Sequence, residues 1–377
     1  MAAIDFPNPA TQNPLNTFSP TSTPSSTSNG YTYIFENGKW VSSGEGNSNP
    51  IFDSVNTNSL AGFRNLLING SMTFWQRATS GTGTGFQGPD RWRSASDSPV
   101  VTRRTIAPGT GQAGVPATYS CEISTSGSAA GITQCIELPY GGGRQDGFDV
   151  GNQYTLSWYG DTTNPAEFDV YTPAFVDDST GALNTVTAGT KGDIELIETM
   201  GSTGWGRFQS LITITGNVGQ TNIALSVGVA TLGNTHQVTS IQFEPGPVAT
   251  PFELRPIGTE LALCQRYLYV LGSNNNGVYF PVNGFVKTST QACVTVNYPV
   301  TMRIPDPTLT FRAAETNFTI WLKESTRTVT SITASDRTEN GGVYNINTGG
   351  GMDPGDCVQF GTGPDAGGNS LIISAEI

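Results

Sequence analysis

The sequence predicts an all-β protein: an extended N-terminal arm with a hairpin, a jelly-roll sandwich, one short linking helix and a C-terminal β-sandwich. Three observations predict it. Thr, Val, Ile and aromatic residues are frequent and are punctuated by 46 Gly and 23 Pro in 377 residues, the texture of many short strands joined by turns. Period-two alternation recurs, as in Leu211-Ile-Thr-Ile-Thr215 and Ile223-Ala-Leu-Ser-Val-Gly-Val229, so one face of each strand is buried. Helical spacing of apolar residues stands out in a single short stretch.

In order along the chain, residues 1–46 form the arm. Phe6–Ser28 is rich in Pro, Ser, Thr and Asn and reads as extended, unable to fold alone. Tyr31-Thr-Tyr-Ile-Phe35 and Lys39-Trp-Val41 flank Asn37-Gly38, the pattern of a hairpin with a type I′ turn. A lone hairpin is marginal in water, so this one is expected to pack on something else. Residues 47–62 read as a linker. Residues 63–256 carry about nine alternating segments, which suits a two-sheet sandwich or jelly roll; Leu66–Phe74 opens them and His236–Phe243 closes them. In residues 257–273, Leu261, Cys264, Leu268 and Leu271 fall at three- and four-residue steps, which predicts the linking helix. Residues 274–377 return to strands, from Val278–Phe285 to Leu371–Ile377, and read as a second sandwich. The final strand is expected to be tied into a sheet.

Composition excludes several functions. The net charge is −12, with only 18 Lys and Arg and no cluster of them; a nucleic-acid binder needs concentrated positive charge. No run of 18 apolar residues is present, so no membrane-spanning helix and no membrane insertion are expected. The first twenty residues lack the basic and apolar regions of a signal peptide, which implies synthesis in a cytosol. The five cysteines, Cys121, Cys135, Cys264, Cys293 and Cys357, are widely spaced; they read as small core residues, not as metal ligands or a disulfide framework.

Little in the sequence suggests catalysis. His236 is the only histidine, so a Ser-His-Asp or Cys-His site must use it; at a strand start it reads as structural. One histidine and scattered cysteines do not make a zinc site, and no cofactor is expected. Gly141-Gly-Gly143 and Gly349-Gly-Gly351 lie among strands and read as loops. The densest acidic stretch holds Asp146, Asp149, Asp161, Glu167, Asp169, Asp177 and Asp178. Two convergent carboxylates there would suit glycan cleavage, and Asp177-Asp178 before Ser-Thr-Gly reads as a turn, with a turn that holds a cation as the alternative.

Several segments together resemble a known family. Asn65-Leu-Leu-Ile-Asn-Gly-Ser-Met-Thr-Phe-Trp-Gln-Arg77 with Pro89-Asp-Arg-Trp-Arg93 resembles a motif of bacteriophage tail-fibre and virion-surface proteins. Ile241-Gln-Phe-Glu-Pro-Gly-Pro-Val-Ala-Thr-Pro-Phe-Glu-Leu-Arg-Pro256 with Glu260-Leu-Ala-Leu-Cys-Gln-Arg-Tyr267 resembles the end of the same module, and Ser374-Ala-Glu-Ile377 is similar to those C-termini. Ile4-Asp-Phe-Pro-Asn-Pro9, Tyr31-Thr-Tyr33 and Gly38-Lys-Trp40 look like anchoring segments of marine and cyanobacterial phage proteins. The resemblance implies a virion location, a jelly roll similar to carbohydrate-binding modules, and a homotrimer. It also implies anchoring on other virion proteins through Phe6, Phe18, Tyr31, Tyr33, Phe35 and Trp40. Modules of that kind often hold a structural Ca²⁺ through an acid soon after the first Asn-Gly; here Ser71-Met-Thr-Phe74 carries no carboxylate.

Physically, Asn69-Gly70 reads as a turn, and Phe74 and Trp75 as opposite faces of a strand. Arg77, Arg91 and Arg93 have Asp90 or Asp97 as partners, or Trp92 to stack on. Trp75 and Trp92 are either core residues or sugar platforms. The rings available at the distal end are Tyr279, Phe280, Tyr298, Trp321 and Tyr344; Tyr279, Phe280, Trp321 and Tyr344 are the glycan-binding candidates, several of which must be core. The expected function is host attachment by a tail fibre that binds a surface glycan. The alternatives are a capsid decoration protein clamped by the arm and, behind it, a glycan depolymerase.

Overall fold

A computed structural model describes residues 25–28, 31–36 and 39–42. It also describes residues 64–376 apart from 96–99, 107–113, 125–129, 138–149, 177–182, 201–203, 216–221, 230–233, 274–276 and 364–368. The chain divides into two compact units, Met1–Gly62 and Phe63–Ile377. No helix among the described residues is long and apolar enough to cross a membrane.

In the first unit, β1 (Ser25–Ser28), β2 (Tyr31–Glu36) and β3 (Lys39–Ser42) form one antiparallel sheet in that order. Phe35 faces Trp40 and Glu36 faces Lys39 in the register, so the expected hairpin is present around residues 37–38. Its third strand comes from Ser/Thr sequence that reads as extended arm: Thr27 pairs with Thr32 and Ser28 with Tyr31. Tyr31, Tyr33, Phe35 and Trp40 lie in these strands, and Phe6, Phe18 and the linker 47–62 lie outside the described residues.

The second unit opens with β4 (Ser80–Thr82), β5 (Arg93–Ala95), β6 (Val100–Thr105), β7 (Tyr119–Ser124), β8 (Ala130–Glu137), β9 (Gln153–Gly160) and β10 (Phe168–Val176). It continues with β11 (Leu183–Thr187), β12 (Gly189–Lys191), β13 (Glu195–Met200), β14 (Trp205–Ile214), β15 (Asn222–Val229) and β16 (Thr235–Pro245). One sheet runs β11-β10-β15-β8-β5; the other runs β12-β14-β9-β16-β7-β6-β4, with β13 also on β14. Strands β7 to β10 fall alternately in the two sheets, as do β14 to β16, the crossing pattern of a jelly roll. Trp158, Phe168 and Phe208 pack ring against ring between the sheets, in a core with Leu156, Val227 and Ile241.

The helix α1 spans Ile257–Gln265, shorter than the 257–273 expected. Leu268 and Leu271 belong instead to β17 (Leu268–Ser273), paired with β25 (Asn369–Ser374). Tertiary pairing overrides a helical spacing that is only about three turns long.

Beyond it lie β18 (Tyr279–Thr288), β19 (Gln291–Asn297), β20 (Thr308–Phe311), β21 (Phe318–Trp321), β22 (Thr326–Thr338), β23 (Gly341–Thr348) and β24 (Cys357–Thr362). The region is all-β as expected, but its strands do not form two open sheets. They close into a barrel, β18-β19-β23-β22-β21-β24, with a small sheet β17-β25-β20 beside it. Bulges in β18 and β22 bend and twist the strands enough for closure. Phe280, Phe318, Tyr344 and Phe360 fill the interior, and Leu371 and Ile373 of β25 join the same core.

Candidate functional site

Strand β18 alternates cleanly: Phe280, Val282 and Val286 point inward and are buried, whereas Tyr279, Pro281, Asn283 and Phe285 are exposed. Both β18 and β21 pair with β24, with Tyr279 opposite Gly361 and Trp321 opposite Gln359. Gly361 has no side chain to separate its neighbours, and the Tyr279 and Trp321 rings meet with centroids 4.6 Å apart at 58°. A Cβ at Gly361 would come within 2.0 Å of the Val278 carbonyl oxygen, so the glycine is required by the close approach of β18. Tyr279 is 54% exposed and Trp321 is half-buried. The amides of Asn283 and Gln359 face solvent beside the rings. An exposed aromatic pair with both donors and acceptors at its edge can stack on the apolar face of a sugar and bond its hydroxyls.

The other two candidates are core residues. Tyr344 is wholly buried and Phe280 is 5% exposed. The Tyr344 hydroxyl is bonded to that of Tyr298 at 2.8 Å, and Phe280 packs edge-on against Phe360 at 5.4 Å. Neither offers a free ring face. Trp75 and Trp92 are buried too, with their indole N–H groups donating to the Met72 carbonyl at 2.8 Å and the Asn69 carbonyl at 3.1 Å.

The motif residues build a polar frame away from the aromatic pair, between the jelly roll and residues 260–267 and 374–376. Residues 64–79 form bends, a turn at 70–71 and irregular backbone, not the expected strand. Asn69 takes a left-handed φ of 57°, which asparagine tolerates. Its side chain closes the turn: Nδ2 donates to the carbonyls of Phe74 (2.9 Å) and Asp90 (3.0 Å), and Oδ1 accepts from the Phe74 N–H at 3.0 Å. Asn65 Oδ1 accepts from Leu67 and Phe243, and its Nδ2 donates to Ile241, fastening the turn to β16.

Arg91 does not pair with an Asp. Its buried guanidinium meets Glu376, donates to the Cys135 carbonyl at 2.7 Å and lies 3.5 Å over the Tyr267 ring. Arg77 also reaches Glu376, at 3.5 Å. Asp90 accepts instead from Gln76, at 2.8 Å from the backbone N–H and 2.7 Å from the side chain. Burial pushes its pKa up to about 6.

His236 sits between two carboxylates, with Nδ1 2.9 Å from Asp161 and Nε2 3.4 Å from Glu167. The hydrogen bond to Asp161 leads the effects that raise its pKa. Asn234 and Asn164 also donate to Glu167. Both ring nitrogens thus face carboxylates, and His236 brings Asp161 and Glu167 of the acidic stretch to one place. Asp169 pairs with Lys191 at 2.6 Å; Asp97, Asp146, Asp149, Asp177 and Asp178 lie outside the described residues.

Four cysteines are buried, but Cys357 is exposed. Burial raises the thiols of Cys121, Cys135 and Cys264, away from the reactive thiolate form. The turn after Asn69-Gly70 does not fit calcium. Ser71 and Thr73 hydroxyls bond each other at 2.9 Å, Glu253 accepts from the Asn65 N–H, and Glu260 binds Asn69 N–H and Arg255. Among the described residues no group of three or more His, Cys, Asp or Glu side chains is placed to hold a metal ion.

No family model and no curated protein matches this sequence. Solved structures show distant likeness. The enzymatically active domain of tailspike protein 4 from bacteriophage CBA120 is 14% identical over 48% of this chain and 22% of that one, with a TM-score of 0.28. The CBM22-1 and GH10 modules of a Clostridium thermocellum endo-1,4-β-D-xylanase, complexed with xylohexaose, are 15% identical over 47% of this chain and 30% of that one, at 0.25. The tandem CBM22 domains of a Paenibacillus barcinonensis protein are 10% identical over 78% and 97%, at 0.27. At such scores the chemistry of the site rests on its own geometry.

That geometry includes residues the sequence reading passed over: Phe285, 53% exposed, and the flanking amides Asn283 and Gln359. The signal was present in the parity of β18. With Val282 and Val286 inward, odd-numbered residues must face out.

Proposed function

We propose that this chain is a non-catalytic structural protein of a bacteriophage particle, a tail fibre held to the particle through residues 1–46 and meeting a host-surface glycan through its barrel. The observation that carries the glycan reading is the exposed Tyr279–Trp321 pair beside the Asn283 and Gln359 amides. The particle reading draws on the motif resemblance in Asn65–Arg77, Pro89–Arg93 and Ile241–Pro256. A homotrimer would give three copies of one weak site a common axis, and several weak contacts made together hold far better than one.

The test is glycan-array binding by the purified full chain, with Tyr279→Ala and Trp321→Ala as variants. Wild type should bind a subset of glycans and release no new reducing ends from them. Each variant should lose roughly tenfold in affinity, about 1.4 kcal/mol, with unchanged circular dichroism. Absence of binding by wild type, or variants that bind as wild type does, would defeat the glycan reading; release of reducing ends would defeat the non-catalytic one.

A further inference from the structure

The outward face of β18 does not end at the aromatic pair. Tyr279, Pro281, Asn283 and Phe285 all project from it into solvent. Phe285 stands opposite Cys357 on β24, and Tyr279 opposite Gly361. Those two positions are four residues apart on β24, which at about 3.3 Å per residue places the outer rings roughly 13 Å from each other. Between them β18 carries extra residues relative to β24, the register shifting between Tyr279 and Asn283. Pro281 sits in that bulge, where a missing N–H does least harm. The bulge keeps both ends of the strand on the same outward parity.

The chemistry of this row is distinctive. In a chain of net charge −12, none of Tyr279, Pro281, Asn283, Phe285, Trp321 and Gln359 is charged at neutral pH. Lys287 is the first charged residue along β18, two positions beyond Phe285. The rings are not contiguous, as in the centre of a protein–protein contact. Solvent-facing amides alternate with them: Asn283 lies between Tyr279 and Phe285, and Gln359 is its register partner. Flat apolar surfaces separated by groups that both donate and accept hydrogen bonds match a chain of sugars, each with an apolar face and a rim of hydroxyls. The row runs along the outward face of a strand, so it suits an extended ligand.

We infer that the glycan site is an open track along β18, running from the Tyr279–Trp321 pair to Phe285, that takes a linear, uncharged oligosaccharide several sugars long. This rests on the glycan reading above. It adds the class of ligand: neutral and linear, with binding that grows with chain length.

The experiment is calorimetric titration of the full chain with linear neutral gluco- and galacto-oligosaccharides of one to six sugars and with uronic-acid-bearing counterparts. Wild type should bind the neutral series, with affinity rising at each added sugar until the 13 Å track is filled. The uronic acid series should bind at least about fivefold more weakly at low salt, because the protein is acidic. Phe285→Ala should lower affinity for the tetrasaccharide about tenfold and leave disaccharide binding as in wild type, whereas Trp321→Ala should weaken both.

If affinity does not rise with length, or if Phe285→Ala leaves the tetrasaccharide unaffected while Trp321→Ala still weakens binding, the track is overturned and the glycan reading survives. If the acidic series binds as well or better, the neutral assignment is overturned. If no member binds, both fall. If Phe285→Ala changes the sedimentation coefficient of the assembly, the row is a contact between copies of this chain, and the track is overturned.

Discussion

Asp90 is a carboxyl group in a place that disfavours its charge. It is fully buried, and desolvation outweighs the two bonds from Gln76 and the attraction of Arg77, so its pKa rises from 3.8 to about 6. The folded protein therefore binds a proton between those values that the unfolded chain has released. Stability contributed by this group falls as pH rises from about 4 to about 6 and is flat beyond. Two pKa units correspond to about 3 kcal/mol. Asp90→Asn removes the titration, and the Gln76 amide can reverse to keep a partner. The difference in unfolding free energy between wild type and variant, from urea titrations at pH 4, 5, 6 and 7, should shift against wild type across that window. A difference that is constant or moves the other way would refute the assignment. At this scale the sequence was partly legible. Asn69-Gly70 announces a turn from its residue types alone. The partner of Arg91 does not announce itself, because Glu376 is 285 residues away and no local rule connects them.

At the level of elements, alternation was the reliable signal and short helical spacing the unreliable one. In β23, Asn345 and Asn347 alternate with buried Tyr344 and Ile346, so the burial of Tyr344 could have been read from its neighbours. The steps Leu261, Cys264, Leu268 and Leu271 fit a helix over less than four turns, yet β17 claims the last two by pairing Leu268 with Ser374 and Leu271 with Leu371. That pairing depends on a strand about a hundred residues later and leaves no local trace. Barrel closure was hidden for the same reason: it depends on bulges, which alter parity only locally. The turn at Asn69-Gly70 shows what the motif demands of an element. Its Gly70 has no room for a methyl group, since a Cβ would lie 2.1 Å from the Ile241 carbonyl oxygen of β16. Gly70→Ala should force the turn off that strand and destabilise the fold by about 1–3 kcal/mol, read as a lower midpoint in thermal or urea unfolding. A variant as stable as wild type would show that the turn is not clamped there.

On the scale of the whole Phe63–Ile377 unit, the motif residues converge on the join between jelly roll and barrel. Arg91 follows the turn and takes a left-handed φ of 73°, a conformation that persists only where the surroundings enforce it. Its guanidinium is fixed by Glu376, which follows β25, and by Tyr267, which precedes β17. The Tyr267 hydroxyl donates to Glu137 of β8 at 2.7 Å, and Arg266 pairs with the same carboxylate at 3.0 Å. Tyr267 also takes the Ala375 N–H on its carbonyl at 2.8 Å, and Arg303 donates to the Ala375 carbonyl at 2.8 Å. The end of the barrel side is thus bolted into the polar frame of the sandwich, which fixes the orientation in which the aromatic face is presented.

Glu376 is the member of that frame whose removal should be felt most. Its side chain is 3% exposed and that of Arg91 is 1% exposed. Removing the acid leaves a guanidinium with no counter-charge in a dry setting, a defect that costs roughly 3–5 kcal/mol. Glu376→Ala should lower the unfolding free energy by that amount and let the barrel and the sandwich unfold at different midpoints. Hydrogen exchange in β19 and β23 follows the barrel, while hydrogen exchange in β9 and β14 follows the sandwich. Replacing both partners at once, Arg91→Met with Glu376→Leu, should recover much of the loss, because an apolar pair carries no desolvation cost. A loss below about 1 kcal/mol in Glu376→Ala, or a double variant no better than the single one, would mean that the joint is held by its apolar contacts and backbone bonds, with the ion pair incidental to it.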